Sequence, residues 1–197
     1  MDKVHILSKP TDYILTRFRA GGRRLVALWY AFMFTALLFM PVSILAPQVL
    51  APGDAVFVAA AVTAGVLAGL VQVLGLIRWP FVVRHLAHTY ADPGTSQATR
   101  DAIDVVFQAV HRYAGVAIGE HLGFLFTSLW TVLIAAALTQ SSEYPTWLGW
   151  VGLIPALGIF VGVFEESGVQ AAGALNAIGY ILWSIWLIVI GIFFVTV

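Results

Sequence analysis

The sequence predicts an all-α integral membrane protein, a bundle of five transmembrane helices with a cytoplasmic helical hairpin between the second and third spans. Of its 197 residues, 60% are hydrophobic and only 10% are charged. Several apolar runs reach the roughly 20 residues that are needed to cross a ~30 Å hydrocarbon core. All of the Lys and Arg residues fall in two segments that five spans would place on one side. We therefore expect one transmembrane domain over residues 1–197.

The five expected spans are the longest apolar stretches of the chain. The first begins only at Leu25, after a polar N-terminal segment (1–24) without the pattern of a cleaved signal peptide, so we expect the mature chain to begin at Met1. Two pairs of glycines spaced by four, in the second and fourth spans, indicate close helix packing, either inside the bundle or between copies in a homo-oligomer. The spans are 25–46, 55–77, 116–139, 147–164 and 171–195, and the glycines are Gly65, Gly69, Gly158 and Gly162.

Residues 78–113 are too polar to cross the membrane and are expected to form the hairpin. Turn-forming residues at 92–95 separate its two arms, and Ser96 or Thr95 can cap the returning arm. The apolar side chains of the arms are expected to pack together, namely Val105, Val106, Phe107, Ala109 and Val110 against Trp79, Phe81, Val82 and Val83. Four polar residues on the second arm share one face: Asp101, Asp104, Gln108 and His111.

Charge sets the expected orientation. All ten Lys and Arg residues lie in the N-terminal segment or the hairpin, so both are predicted to be cytoplasmic and the C-terminus to lie outside. Near the N-terminus, Tyr13, Ile14, Leu15 and Phe18 lie beside a cluster of arginines, which indicates a short amphipathic helix on the membrane surface. The expected partners are the lipid bilayer and a small ligand or ion. The net charge of zero, with dispersed basic residues, argues against nucleic acid.

Glu120 and His121 stand side by side inside the third predicted span. A charged side chain in hydrocarbon costs several kcal/mol, so such a pair is a hypothesis of function. Adjacent residues of a helix point about 100° apart, and partners must therefore come from elsewhere. The candidates are Tyr113, Gln72, Asn176, Glu165, Glu166, Arg78 and Arg112.

Two functions fit this pair. In the first, Glu120 and His121 line an inner-leaflet cavity for binding or proton-coupled transport of a small ligand. In the second, an arginine pairs with Glu120 as a buried ion-pair lock in a structural or assembly protein.

A third hypothesis is a metal or haem site. His85 and His88 lie three residues apart on one hairpin arm and His111 lies on the other, so three imidazoles could converge, with Asp92, Asp101 or Asp104 as an oxygen ligand. The absence of cysteine excludes thiolate ligands and disulfides. Beyond these histidines, the sequence defines no cofactor.

An enzymatic role has little support in the sequence. It contains no catalytic triad order, no HExxH motif and no phosphate-binding glycine loop. Hydrolysis of lipid by Glu120 and His121 is the least favoured alternative. We therefore expect a protein that is not an enzyme.

Four stretches of the chain resemble a family of small bacterial multi-pass membrane proteins that is described only as a domain of unknown function. They are GLIRWPFVVRHLAHTYADP, VVFQAVHRYAGVAIGEHLGFLFTSLWTVLIA, LGWVGLIPALGIFVG and ALNAIGYILWSIWLIVIGI, and the resemblance covers about residues 25–195. Its most specific part is HisArgTyr followed by GluHisLeuGly on one helix. The resemblance implies a helical bundle in the bacterial inner membrane and no assigned activity.

Overall fold

The computed structural model describes residues 9–51 and 53–196, which form five long helices. Each is long and apolar enough to cross a membrane, as the sequence predicts. The helices are α1 (Thr11–Leu50), α2 (Ala55–Tyr90), α3 (Gln97–Gln140), α4 (Trp147–Phe164) and α5 (Ala172–Thr196).

The core of the bundle is built from aromatic and aliphatic side chains of all five helices. At its centre Trp130 is fully buried, and the ring of Phe39 meets it edge-on at 4.9 Å between centroids. Two further tryptophans bond across helices, because the Trp183 Nε1 donates to Thr131 Oγ1 at 2.8 Å and the Trp186 Nε1 donates to the Leu148 carbonyl at 2.9 Å. These bonds satisfy polar groups for which hydrocarbon offers no partner.

Both glycine pairs pack inside the chain. A Cβ on Gly158 would lie 2.9 Å from the Gly179 Cα on α5, and one on Gly69 would lie 3.0 Å from the Ala36 carbonyl oxygen on α1. Of the two alternatives left open by the sequence, the structure shows internal helix packing at these positions.

The hairpin is present as predicted, as extensions of α2 and α3. The Ser96 Oγ accepts a bond from the Thr99 amide at 3.2 Å and caps the returning arm, and Asp92 Oδ1 accepts from the Gly94 amide at 2.8 Å in the turn. The expected packing of the arms is correct for Phe107 and wrong for Val105, which is 69% exposed. Val106 and Phe81 are likewise exposed.

The first turns of α1 pack against both arms of the hairpin and share one apolar cluster with them. Ile14, Leu15 and Phe18 are buried against Ile103 and Phe107 of the hairpin. The expectation that these α1 residues lie on the membrane surface is therefore wrong. We call this group of buried residues the head cluster: Ile14, Leu15, Phe18, Trp79, Val83, Leu86, Ala87, Ile103 and Phe107.

Polar contacts fix the start of α1 in this position. Thr11 Oγ1 donates to Asp104 Oδ1 and accepts from Gln108 Nε2 at 3.0 Å. The polar face predicted on the second arm thus binds α1. Farther along, α1 breaks at Gly22, whose φ of 53° is open to glycine and costly for other residues. The break lets the head cluster and the first span point in different directions.

Candidate functional site

Two wide-turn helical segments lie where the bundle meets the hairpin, one on α2 and one on α3. Trp79–Val83 on α2 and His111–Leu122 on α3 are π-helical, which means that backbone N–H groups donate hydrogen bonds to the carbonyl five residues earlier. The Val83 amide donates to the Arg78 carbonyl at 2.8 Å, a pattern that accommodates Pro80, which has no N–H. Such segments occur often at functional sites.

A row of glycines brings α3 against α2 at this level. A Cβ on Gly119 would lie 2.8 Å from the Gly75 Cα, and one on Gly115 would meet the Arg78 guanidinium at 2.5 Å. Gly123 packs on the Gln72 side chain. The repeat of Gly115, Gly119 and Gly123 at steps of four was visible in the sequence and was overlooked there, although it is a familiar signal of close packing.

Arg78 lies in the cradle that these glycines leave. Only 7% of the residue is exposed. Its Nη1 donates to the Gly75 carbonyl, its Nη2 lies 3.4 Å from His111 Nδ1, and its Cζ lies 5.3 Å from the centre of the Trp79 ring. The Nε is buried and has no hydrogen-bond partner in the part of the chain that the structure describes.

Glu120 supplies the negative charge for this guanidinium. The residue is half-buried, and its carboxylate interacts favourably with Arg78. A buried arginine is costly without such a charge, so the two side chains stabilise each other. Arg78 is one of the two arginines that the sequence hypothesis considered as a partner for Glu120.

The site continues into the bundle through polar side chains of three helices. Tyr180 on α5 lies near Thr127 on α3 and near Glu120. Gln72 Nε2 on α2 donates to Thr127 Oγ1 at 3.0 Å. The predicted site missed Thr127 and Tyr180, since single hydroxyls on apolar helices carry no distinctive signal. We call Arg78, Glu120, Tyr180, Thr127 and Gln72 the polar cluster.

Several predicted residues lie apart from the polar cluster. His121 and Arg112 are exposed, and Tyr113 is 71% exposed, so none of them shares an enclosed space with Glu120. The wide turns of the π-helical segment rotate Tyr113 away from the face expected in a regular helix. Asn176 is buried and donates to the Ile159 carbonyl at 3.0 Å.

The other two carboxylates predicted for the site, those of Glu165 and Glu166, follow the end of α4. Glu165 and Glu166 are exposed there. Glu166 attracts His111 electrostatically, whereas Arg78 and Arg112 repel its protonated form.

The predicted metal ligands do not converge. Across residues 9–51 and 53–196, no three His, Asp or Glu side chains are grouped closely enough to hold a metal ion. His85 and His88 are exposed, while His111 turns towards Arg78. Of the three aspartates considered as oxygen ligands, Asp92 caps a turn and Asp104 holds Thr11. Asp101 accepts a bond from Gln97.

Over the two described ranges, 9–51 and 53–196, five helices that are long and apolar enough to cross a membrane place the chain among multi-pass membrane proteins of the helical-bundle class. The chain belongs to the family described as Domain of unknown function (DUF4386), whose model matches residues 2–191. The resemblance noted in the sequence is thereby confirmed. No curated protein and no solved structure matches the chain.

Proposed function

We propose that this protein binds and releases a proton at Glu120 as it binds or transports a small ligand. The observation that carries the proposal is the buried Arg78 guanidinium, which Glu120 attracts and whose Nε has no hydrogen-bond partner among the described residues. Protonation of the Glu120 carboxylate would remove the negative charge that stabilises Arg78. The buried guanidinium would then bind another anion, such as a charged group of the ligand, more favourably. Intramembrane carboxylates and arginines commonly mark proton and substrate pathways.

The arrangement around the pair supports a change of partner. Arg78 contacts the Gly75 carbonyl on the bundle side, and it lies near His111 on the side towards the hairpin. The glycines across from it place no side chain in the way of its movement. The hydroxyls of Tyr180 and Thr127 lie in the same polar cluster and could hydrogen-bond a polar group of a ligand. His121 has no part in this mechanism, because it lies on the exposed side of α3.

We also propose that the hairpin side is cytoplasmic and that the membrane is a bacterial inner membrane. The first part rests on the positive-inside rule, because all ten Lys and Arg residues lie in the segment before the first span or in the hairpin. The second part rests on the family resemblance. A cysteine introduced at Gly94, in the hairpin turn, should be labelled by an impermeant thiol reagent only after the membrane is opened.

Infrared spectroscopy tests proton binding directly. Spectra of the reconstituted protein at acid and neutral pH should show a protonated-carboxyl band that Glu120→Gln removes. Glu165→Gln is the matched control, because that residue is exposed at the end of α4. If the band survives in Glu120→Gln, the proton is bound elsewhere and the proposal is wrong.

The second candidate function is a structural lock, which the Arg78–Glu120 attraction favours. It predicts that Glu120 stays ionised until the protein unfolds. It also predicts that Arg78→Gln and Glu120→Gln each lower thermal stability and that the double variant recovers part of the loss, since removing one partner leaves an unpaired charge. If Glu120 gains and loses a proton while the protein stays folded, a purely structural role for the Arg78–Glu120 pair is excluded.

A further inference from the structure

A cavity of about 460 Å³ lies between α1 and the extension of α2, away from the polar cluster. Arg19, Arg23, Arg84 and His88 line its hairpin side, and no Asp or Glu is among the described residues that line it. Its volume is within the range of small-molecule sites in proteins, about 300–1,000 Å³. The cavity therefore has a basic end large enough to hold an anionic group.

The opposite end of the cavity is apolar. Val26, Ala27 and Tyr30 line it, and they belong to the first turns of the first span. Arg23 and Tyr30 are seven residues apart, which is about 10 Å along a helix. The cavity thus reaches from the charged boundary of the membrane about 10 Å into the apolar part.

The break in α1 shapes this cavity. Gly22 lines it, and its positive φ turns the preceding helical segment away from the span. Arg19 is held at one edge, because its Nη1 donates to the Ala91 carbonyl at 3.0 Å. With respect to residues 9–51 and 53–196, Arg23 and Arg84 make no hydrogen bond or ion pair, so their guanidinium groups are available to a ligand.

We propose that this cavity binds the phosphate of an anionic phospholipid, with the start of an acyl chain against Tyr30 and Ala27. Guanidinium groups bind phosphate oxygens through paired N–H donors, and basic pockets between transmembrane helices recognise anionic headgroups. The joined basic and apolar ends match a lipid better than a free anion. This site is separate from the polar cluster and does not depend on the function proposed for Glu120.

Binding of short-chain lipids to the purified, delipidated protein in detergent tests this site. The probes are dioctanoyl phosphatidylglycerol, dioctanoyl phosphatidylcholine and inorganic phosphate. We expect the anionic lipid to bind at least about tenfold more tightly than either of the others. Equal binding of phosphatidylcholine would refute recognition of an anion, and equal binding of inorganic phosphate would refute the commitment to a lipid.

Paired charge variants locate the binding. Arg23→Gln with Arg84→Gln should weaken binding of phosphatidylglycerol about tenfold or more. Arg17→Gln with Arg24→Gln removes the same charge from exposed positions outside the cavity and should change it less than about threefold. Equal losses in both pairs would show diffuse attraction to the surface and overturn the site.

A second variant keeps the test valid if the first pair fails to fold. Arg23→Lys with Arg84→Lys retains the charge but loses the planar fork that binds two phosphate oxygens. This variant should bind phosphatidylglycerol with intermediate affinity, at unchanged thermal stability. Affinity equal to that of the original protein would show that no paired guanidinium contact to phosphate is made.

Discussion

Gly75→Ala should destabilise the bundle at the contact between α2 and α3. The added Cβ would lie 2.5 Å from the Gly119 Cα and 3.2 Å from the Ala114 carbonyl oxygen, whereas ordinary contacts of a Cβ begin at 3.4 Å. Because both neighbouring atoms belong to the backbone, no side chain can rotate to make room. The helices must move apart by about 1 Å, which breaks the close packing along the glycine row.

The loss of folding free energy can be estimated from the effect of adding atoms to packed protein cores. Extra methyl or methylene groups forced into a packed interior cost typically about 1–3 kcal/mol. At about 2–4 °C per kcal/mol for a chain of this size, the thermal midpoint should fall by roughly 2–12 °C relative to a glycine-to-alanine change that meets no neighbour and has the same gain in helix propensity. Thermal unfolding in detergent, followed by tryptophan fluorescence, measures it.

Gly191→Ala is the matched control for this prediction. Gly191 lies on the exposed side of α5, and a Cβ there would meet nothing within 4 Å. The greater helix propensity of alanine should raise its stability by up to about 1 kcal/mol. If Gly75→Ala proved as stable as Gly191→Ala, the tight α2–α3 approach deduced from the glycines would be refuted.

Two further substitutions probe the head cluster and the core. Phe107→Ala removes a ring that is 2% exposed and should lower the stability of the protein by about 3–5 kcal/mol. The first turns of α1, which pack on this ring, should then exchange their amide hydrogens faster. Val105→Ala is the control, because Val105 is 69% exposed and its loss should leave that exchange unchanged. Equal exchange in both variants would contradict the packing of α1 on the hairpin. Trp186→Phe loses the 2.9 Å bond to the Leu148 carbonyl and should lower stability by about 1 kcal/mol or more, as measured by thermal unfolding. An unchanged midpoint would mean that this bond contributes nothing.

Features that depend on local composition were predictable from the sequence. Each span is an apolar stretch long enough to cross hydrocarbon, and all five are present as helices. The hairpin turn was equally clear, since Ser96 and the turn residues before it act through nearest neighbours. Arg78 was among the partners proposed for Glu120 because few cations lie near that level of the chain.

Features that depend on contacts between distant segments were not predictable in the same way. The first turns of α1 show apolar residues at helical spacing, a pattern equally typical of a helix on a membrane surface and of one packed on protein. Only the position of Ile103 and Phe107 in the fold decides between these two alternatives. Similarly, the π-helical geometry of His111–Leu122 changes which side chains share a face with Glu120, and no sequence pattern signals such a change of helix type.

The placement of α1 in the head cluster has a consequence for biosynthesis. Thr11 is bonded to a residue 93 positions later in the chain. At about 5–20 residues per second, a ribosome needs roughly 5–20 s to make that stretch. During this time Ile14, Leu15 and Phe18 have no hairpin to cover them, and the surface of the bilayer is the nearest apolar phase. The newly made segment should therefore rest on lipid first and transfer to protein once the second arm of the hairpin is complete.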